Sequence, residues 1–419
     1  MSWIPSLVNL FRRDADYLVG LDVGTSRIKV AVGQERPDGA LSMIGRHMTE
    51  SEGIRKGEVQ DQKRACDAIA RALREAEENF HIGMELVELA ITGAHIAAET
   101  HTGHVGVRGE GGEVNDADVQ AAKDSASSCA QLGSDRTMIH VVQCGFDLDG
   151  GLPLVNPVGH LGNSLKAEVH CIHGHQGRVR NLPNCLCSKV GANVEVNEVV
   201  FSGLASALAV LEPEDKQMGA IVIDLGGGIT EYVVYRNGAP RLSGTLAVGG
   251  EHMVNDLMVG LGIRQRNKAR KLLHEAGGVM VEPEDRGREV VFSRDEILGA
   301  RQQVYFLDDI HRILHERMDE TLRIIRDRIF ARNASGFDGV TVFLTGGCAR
   351  LKGMVTLAQS IFDLQAKTGI PTGFEGQEDL RSPEMATAVG LVKYAHAQRL
   401  AATKRKRGMP NLIGRILED

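Results

Sequence analysis

No stretch of this 419-residue chain approaches the roughly 20 consecutive apolar residues that a membrane-spanning helix requires. The N-terminus offers neither an uninterrupted apolar run nor a small-residue cleavage site, so a secretory leader is not expected and the cytoplasm is the expected compartment. Basic charge is also scarce: the formal net charge is −7, and the only basic run is "KRKR" at 404–407. A nucleic-acid footprint needs a basic patch, so no nucleic-acid partner is expected. The seven cysteines (Cys66, Cys129, Cys144, Cys171, Cys185, Cys187 and Cys348) are odd in number, scattered, and contain no C-x-x-C pair. A disulfide framework or zinc knuckle is not expected from them. "EVHCIHGHQG" gathers His170, Cys171, His173 and His175, but on a strand alternate residues face opposite ways, which separates His170 from the other three. It reads as strand and turn rather than as a metal site.

What is present is ordinary globular material, 42% hydrophobic and 25% charged, enough for two or more cores. "YLVGLDVGTSRIKVAVGQ" reads as a hairpin, 61–80 as a helix with Ala65, Ile69, Ala72, Leu73 and Ala76 on one face, and "VELAITG" as a strand. A second block from about 95 to 165 contains a helix capped by Asn115 or Asp116 and then strand-like "TMIHVVQCGFDLDG". "NSLKAEVHCIHG" resumes strand character, and "VNEVVFSGLASALAVL" passes from strand into helix. A second hairpin follows near 220, then helical "GGEHMVNDLMVGLGI", a polar region over 264–300, and a long helical run over 304–330. "GVTVFLTGGCARLKGMVTLAQSIF" reads as strand, glycine turn and helix, and "PEMATAVGLVKYAHAQRL" as a last helix. No low-complexity linker divides the halves, which predicts two closely packed domains with a cleft between them.

The two hairpins share one plan. "GLDVGTSRIKV" and "VIDLGGGITEYVVY" each place an aspartate at a strand end, a glycine turn, a polar residue and a return strand. Glycine turns let backbone N–H groups converge on one spot, and such a concavity suits phosphate oxygens. Gly24, Thr25 and Ser26 on one side, with Gly226, Gly227, Gly228 and Thr230 on the other, would clamp a polyphosphate. Asp22 and Asp224 would hold Mg²⁺ through its waters, and Asp224 is the candidate for orienting an attacking water. In "LTGGCARLKG", Gly346 and Gly347 would let the backbone approach a flat base. A P-loop is excluded because G-x-x-x-x-G-K-[ST] is absent, and a Rossmann reading lacks G-x-G-x-x-G opening a helix.

These three motifs resemble the two phosphate motifs and the adenosine motif of the actin-like ATPase superfamily. Within it the chain resembles the FtsA family through "SEGIRKGEVQDQKRACDAI", "ITGAHI", "DGGLPLVNPVGHLGNSLKAEVHCIHG", "LASALAVLEPED" and "AVGGEHMVNDL", spread from about 17 to 395. The resemblance implies an α/β, ribonuclease H-like two-domain fold around ATP and Mg²⁺, with Lys29, Gly249, Gly250 and Glu251 joining the binding set. It implies self-assembly into filaments, and tethering of FtsZ filaments to lipids on the cytoplasmic face of the membrane at the division site, alongside other division proteins. The expected layout is a first domain over 17–84 and 165–199 with a return helix at 386–400, and an inserted FtsA-type subdomain over 85–164. A second domain core follows over 200–250 and 326–385, and its smaller part, the expected FtsZ-tail site, over 251–325.

Some residues depart from the family pattern. Ser202 and Gly203 stand where Glu-Pro is usual, and Ile229 and Glu231 where threonine and aspartate are usual. The backbone cradle survives these changes, so ATP binding is expected, with weak or no hydrolysis because a water-positioning carboxylate is missing. The run over 295–316 is also longer than usual. Two other classes share part of the pattern. PilM-like or MreB-like scaffolds lack the "GIRKG" and "NPVG" segments, and sugar kinases need a substrate pocket with a catalytic base, for which no constellation is evident.

The chain ends predict membrane contact. After the basic linker that opens the segment 401–419, Leu412, Ile413, Ile416 and Leu417 fall on one helical arc of about 140°. In the N-terminal segment 1–16, Trp3, Ile4, Leu7, Val8, Leu10 and Phe11 fall within about 160°, with Arg12 and Arg13 opposite. Trp3, Leu7 and Phe11 suit an interfacial anchor, and the single tryptophan of the chain lies among them. In vesicle flotation Trp3→Glu and Ile413→Glu are each expected to reduce binding and together to abolish it. Binding untouched by Trp3→Glu would eliminate the N-terminal anchor.

Overall fold

The computed structural model describes residues 17–187, 194–291, 304–332, 337 and 339–406. The terminal segments carrying Trp3, Leu7, Phe11, Leu412, Ile413, Ile416 and Leu417 lie outside the described residues. The chain opens with β1 (Tyr17–Val23), β2 (Arg27–Glu35), β3 (Leu41–Glu50), β4 (Ile54–Arg55), β5 (Glu58–Val59), α1 (Gln62–Phe80) and β6 (Leu86–Ile91). β7 (Ala97–Gly106), α2 (Asp116–Ser128), β8 (Arg136–Leu148), β9 (Ser164–His175) and α3 (Gln176–Cys187) follow. Then come β10 (Glu195–Phe201), α4 (Ser202–Val210), α5 (Pro213–Met218), β11 (Ala220–Leu225), β12 (Thr230–Arg236) and β13 (Ala239–Leu246). α6 (Gly250–Gly260), α7 (Arg266–Ala276), β14 (Glu289–Val291), β15 (Val304–Phe306) and α8 (Leu307–Arg332) lead into the closing part. That part holds β16 (Thr341–Thr345), α9 (Met354–Phe362), β17 (Gln365–Thr368), β18 (Glu375–Gly376) and α10 (Ala386–Lys406).

Two sheets repeat one topology. The first runs β10-β6-β1-β2-β3-β18 and the second β13-β12-β11-β16-β17. In each, a meander of three antiparallel strands (β1-β2-β3, β11-β12-β13) is extended by two parallel strands (β6 and β10, β16 and β17). The central strands are buried on both faces, which is why Leu18–Val23 and Ala220–Leu225 read as nearly unbroken apolar runs. Between β6 and β10 a third sheet, β7-β9-β8, packs on α2. Asn115 and Asp118 cap α2 reciprocally, each side chain accepting from the other's backbone N–H. Asp61 caps α1 by accepting from Arg64 N at 3.1 Å, and α1 ends at His81 in the left-handed region.

Several expected boundaries move. β6 hydrogen-bonds to β1 and β10, so it belongs to the first sheet, and β9 is the central strand of the inserted one. The inserted unit therefore runs from β7 to β9, about ten residues later at each end than the expected 85–164. β18 lies on the edge of the first sheet although its residues fall in the stretch assigned to the second core. Residues 304–306 pair with β14, and the long helix begins only at Leu307. The polar region after 264 contains α7, whose Ala269, Leu272 and Leu273 are buried.

α10 closes the architecture by lying against β1 and α4 at backbone distance. A Cβ on Gly390 would fall 1.7 Å from the Ala205 carbonyl oxygen, and one on Gly20 would fall 2.3 Å from that of Ala388. Gly390→Ala must therefore push α10 off α4. Overpacking of this kind costs about 2 kcal/mol or more. A drop in thermal midpoint of at least about 4 °C is expected by calorimetry. An unchanged midpoint would show that the two helices part without cost.

Candidate functional site

The two hairpin turns are built alike and meet face to face. Gly24 N donates to Arg27 O at 3.1 Å in the first, and Gly226 N to Ile229 O at 3.0 Å in the second. Cross-strand register sets Asp22 opposite Lys29 and Asp224 opposite Glu231. A Cβ on Gly227 would fall 2.3 Å from Ser26 Oγ, and one on Gly228 would fall 2.4 Å from Thr25 Oγ1. Only glycine lets these backbones come so close to the opposing hydroxyls. Gly57 N, in the "GIRKG" segment, donates to Thr25 Oγ1 at 3.1 Å and braces the first turn from above.

The third turn folds over the same point. Gly346 has φ +84, and a Cβ there would fall 2.3 Å from Asp224 Oδ1, so the chain can cross this carboxylate only as glycine. A Cβ on Gly347 would meet nothing within 4 Å, which leaves open space beside the turn. Gly250 N and Glu251 N donate to Gly226 O and Gly227 O at 3.0 and 2.7 Å, so the start of α6 holds the second turn in place. The Glu251 carboxylate points elsewhere, paired with Arg266 and with Arg270 at 2.8 Å. Thr230 likewise does not offer its hydroxyl to the cleft: it is buried and donates to Val248 O at 2.8 Å. Gly249 packs on the Gly226 and Gly227 backbone.

Charge converges between the turns. Lys29 Nζ lies 2.8 Å from Asp22 Oδ2. Burial acts to lower the Lys29 pKa, but Asp22, with Asp224 and Glu384, outweighs it and holds the ammonium above the ordinary lysine value. Asp224 is buried and its carboxyl is pushed upward by desolvation, against hydroxyls that favour its charged form. Those hydroxyls are Ser206 on α4, donating at 2.5 Å, and Thr387 on α10, donating at 3.1 Å. Sequence reasoning passed over both, although Ser206 lies one helical turn beyond Ser202 and so on the same face of α4.

Glu231 is a further buried carboxyl of the cleft, and sequence reasoning undervalued it. Ser202 Oγ lies 2.6 and 2.7 Å from its two oxygens, and Thr92 Oγ1 donates to Oε1 at 2.6 Å. Burial, with Asp224 adding repulsion, pushes its pKa up to about 8, so the group is a neutral acid at pH 7. A protonated Glu231 can donate to Ser202 Oγ, which leaves the serine hydroxyl free to donate to Ile91 O, 3.2 Å away. The cleft thus keeps a carboxyl beside Ser202, supplied by β12. Away from the cleft, His170 bonds to Thr100 and Ser243 and ties the inserted sheet to β13.

Two half-chains that share a five-strand sheet topology, joined at paired glycine turns with an aspartate beside each, define an actin-like fold. Solved structures agree at the level of fold. The PilM-PilN type IV pilus biogenesis complex superposes with a TM-score of 0.63 at 15% identity, over 90% of this chain and 97% of that one. The MamK double helical filament gives 0.50 at 11%, over 90% and 98%. Family models are more specific: "Cell division protein FtsA" matches residues 221–390 and "SHS2 domain inserted in FTSA" matches 93–173, together more than half of the chain. Cell division protein FtsA of Escherichia coli K12 is 27% identical over 396 residues, covering 92% of each chain. That of Borreliella burgdorferi is 28% identical over 91% of each, and that of Neisseria meningitidis serogroup B 29% over 90% of each. The chain belongs to the FtsA family of cell-division proteins.

The raised Glu231 pKa fixes the sign of a pH effect. Between the ordinary glutamate value and about 8 the folded state holds a proton that the unfolded state has lost, so stability falls as pH rises through this window. Glu231→Gln, a neutral mimic, removes that loss. The variant is expected to gain several degrees of melting temperature over the parent at pH 8.5 and little at pH 5, following the one-proton linkage. Parallel melting curves across this range would show that Glu231 is ionised throughout.

Proposed function

We propose that this chain binds ATP with Mg²⁺ between its two hairpin turns, assembles into filaments, and holds FtsZ filaments at the cytoplasmic face of the membrane. The observation that carries the reading is the meeting of the two turns around Asp22, Lys29 and Asp224, with open space beside Gly347. The residues suit the group. Thr25 and Ser26 with the Gly24 and Gly226–Gly228 backbone would hold phosphates, and Lys29 would supply a point charge for them. Asp22 and Asp224 are the hard oxygen donors that Mg²⁺ prefers, held through its waters. Gly346 and Gly347 leave room for the base. Bound Mg²⁺ would neutralise phosphate charge. Gly250 and Glu251 act one step away, by holding the carbonyls of the second turn.

Turnover is expected to be slow. Deprotonating an attacking water calls for a basic group, and Glu231, neutral and satisfied by Ser202 and Thr92, is a poor proton acceptor. ATP then acts as a ligand that stabilises the folded, assembly-competent unit by mass action. Capture of the FtsZ tail belongs to the part spanning 251–325, and the two amphipathic ends provide lipid contact. Among the described residues no helix is long and apolar enough to cross a membrane.

The test has two readouts. Asp22→Ala and Asp224→Ala are each expected to weaken Mg²⁺-dependent binding of a fluorescent ATP analogue by about tenfold or more, the scale of a lost charge-assisted contact. Unchanged affinity in both would overturn the cleft assignment. With anionic vesicles and ATP, FtsZ is expected to sediment only when this chain is present. FtsZ remaining in the supernatant would overturn the tethering role, and phosphate release at about 1 per second or faster would overturn slow turnover.

A further inference from the structure

The chain enters β1 at Tyr17, at the end of the first sheet remote from the turns. Tyr17 pairs with Gln34 on β2, and Gln34 pairs with Ser42 on β3. Arg399 Nη2 of α10 donates to the Tyr17 carbonyl at 3.2 Å. Residues 1–16, outside the described residues, therefore depart from beside residue 399 of α10 and two strands from β3. A cavity of about 530 Å³ lies at this same end of the molecule. Ala40 and Leu41 where β3 begins, Leu208 near the end of α4, Phe374, and Ala397 and Leu400 of α10 supply its apolar lining. Leu41 adjoins Ser42, and Leu400 follows Arg399, so the chain entry and the cavity share two walls. The volume is that of a small-molecule site, which takes more than one large side chain.

Reach and chemistry both point to the departing segment as the occupant. Neighbouring strands lie about 5 Å apart, which puts Tyr17 about 10 Å from β3. Residues 12–16, when extended, span up to about 17 Å, enough to bring residues 1–11 to the cavity. Those residues, "MSWIPSLVNLF", contain no charged side chain, the first being Arg12. Seating them in an apolar enclosure therefore buries no side-chain charge. Trp3 and Leu7, one helical turn apart on the expected apolar arc, are neighbours of the size that the cavity admits. Left in water, that arc would expose a contiguous patch of large apolar side chains.

We propose that, away from lipid, the N-terminal segment docks in this cavity of its own chain, with Trp3 and Leu7 seated against Leu208, Phe374 and Leu400, and that a lipid surface draws it out. One apolar arc cannot face protein and lipid together, so the two states exclude each other. The docked fraction then subtracts directly from vesicle affinity. A segment tethered a few residues from its cavity has a high effective concentration there, which favours it over the same segment of a second copy. Docking stands without lipid; the release step rests on the membrane contact proposed above.

Trp3 is the single tryptophan of the chain, so intrinsic fluorescence of the full chain reports on it directly. Without lipid, its emission is expected to be blue-shifted and protected from acrylamide. Ala397→Phe, which fills the cavity, and Leu400→Glu, which places a charge on its half-buried wall, are each expected to move the emission to the red and raise quenching severalfold. Leu400→Glu keeps the test open where Ala397→Phe unfolds. Both variants are also expected to bind anionic vesicles severalfold more tightly than the parent, because the docked state no longer competes. A solvent-exposed Trp3 in the lipid-free parent, or protection indifferent to both substitutions, would overturn the docking. Protection lost on dilution would assign the cavity to a second copy's segment and overturn docking within one chain. A freed Trp3 with unchanged vesicle affinity would overturn the release step alone. Absence of vesicle binding in parent and variants alike would sink the membrane reading and leave the docking standing.

Discussion

The structure depends on one buried carboxylate. Asp224 ends the central strand of the second sheet, yet the groups that satisfy it come from α4 and α10, and α10 packs on the first sheet. Desolvation alone would make such a group costly, so Ser206 and Thr387 must be in place whenever it is charged. Gly346 is fixed by the same requirement, because any side chain there would strike Asp224 Oδ1. Both halves, the connecting helices and the third turn are therefore located relative to one side chain. Movement of one half against the other has to break or carry these hydrogen bonds, which makes the relative position of the halves sensitive to what Asp224 contacts.

The parts legible in the sequence were those whose local chemistry and burial agree. The hairpins announced themselves because strands buried on both faces are apolar throughout and their turns need glycine. α1 and α2 had side-chain caps and one apolar face each. What escaped had weak local signals. β7 alternates polar residues such as Thr100, Thr102 and His104 and gains its strand character from pairing along its whole length with β9. α3 carries Pro183 inside the helix, and α7 is charged apart from a narrow stripe at Ala269, Leu272 and Leu273. The boundary of the inserted unit was misplaced because the sequence marks β6 and β9 as strands without showing which strands they pair with.

The cleft followed the same division. Backbone-determined features, the glycine turns and the aspartates beside them, were visible as spacing. Side-chain satisfaction was not: nothing local shows that Ser206 and Thr387 share a carboxylate across 181 residues, or that Thr92 reaches Glu231. The apparent loss of an acid at Ser202 was a local reading of a pairwise fact. In space the serine hydroxyl sits against Glu231, a carboxyl on the facing strand that the local reading of α4 did not include.

Glu231 also decides the charge of the cleft. The two hairpins are equivalent by register, yet the position after each turn that faces the aspartate holds Lys29 in the first and Glu231 in the second. Lys29 offsets Asp22 directly and reaches the field of Asp224. Were Glu231 ionised as well, three carboxylates would surround one ammonium in an enclosed space, and each would raise the cost of the others. Taking up a proton removes that conflict without an additional cation: burial and the neighbouring aspartates outweigh the hydroxyls of Ser202 and Thr92, which favour the charged form. The cleft then presents close to one negative charge rather than two, which reduces the repulsion any polyphosphate must overcome on entry. The same proton deprives the site of a base. In this chain, tolerance for an anionic ligand and reluctance to activate water follow from a single protonation state.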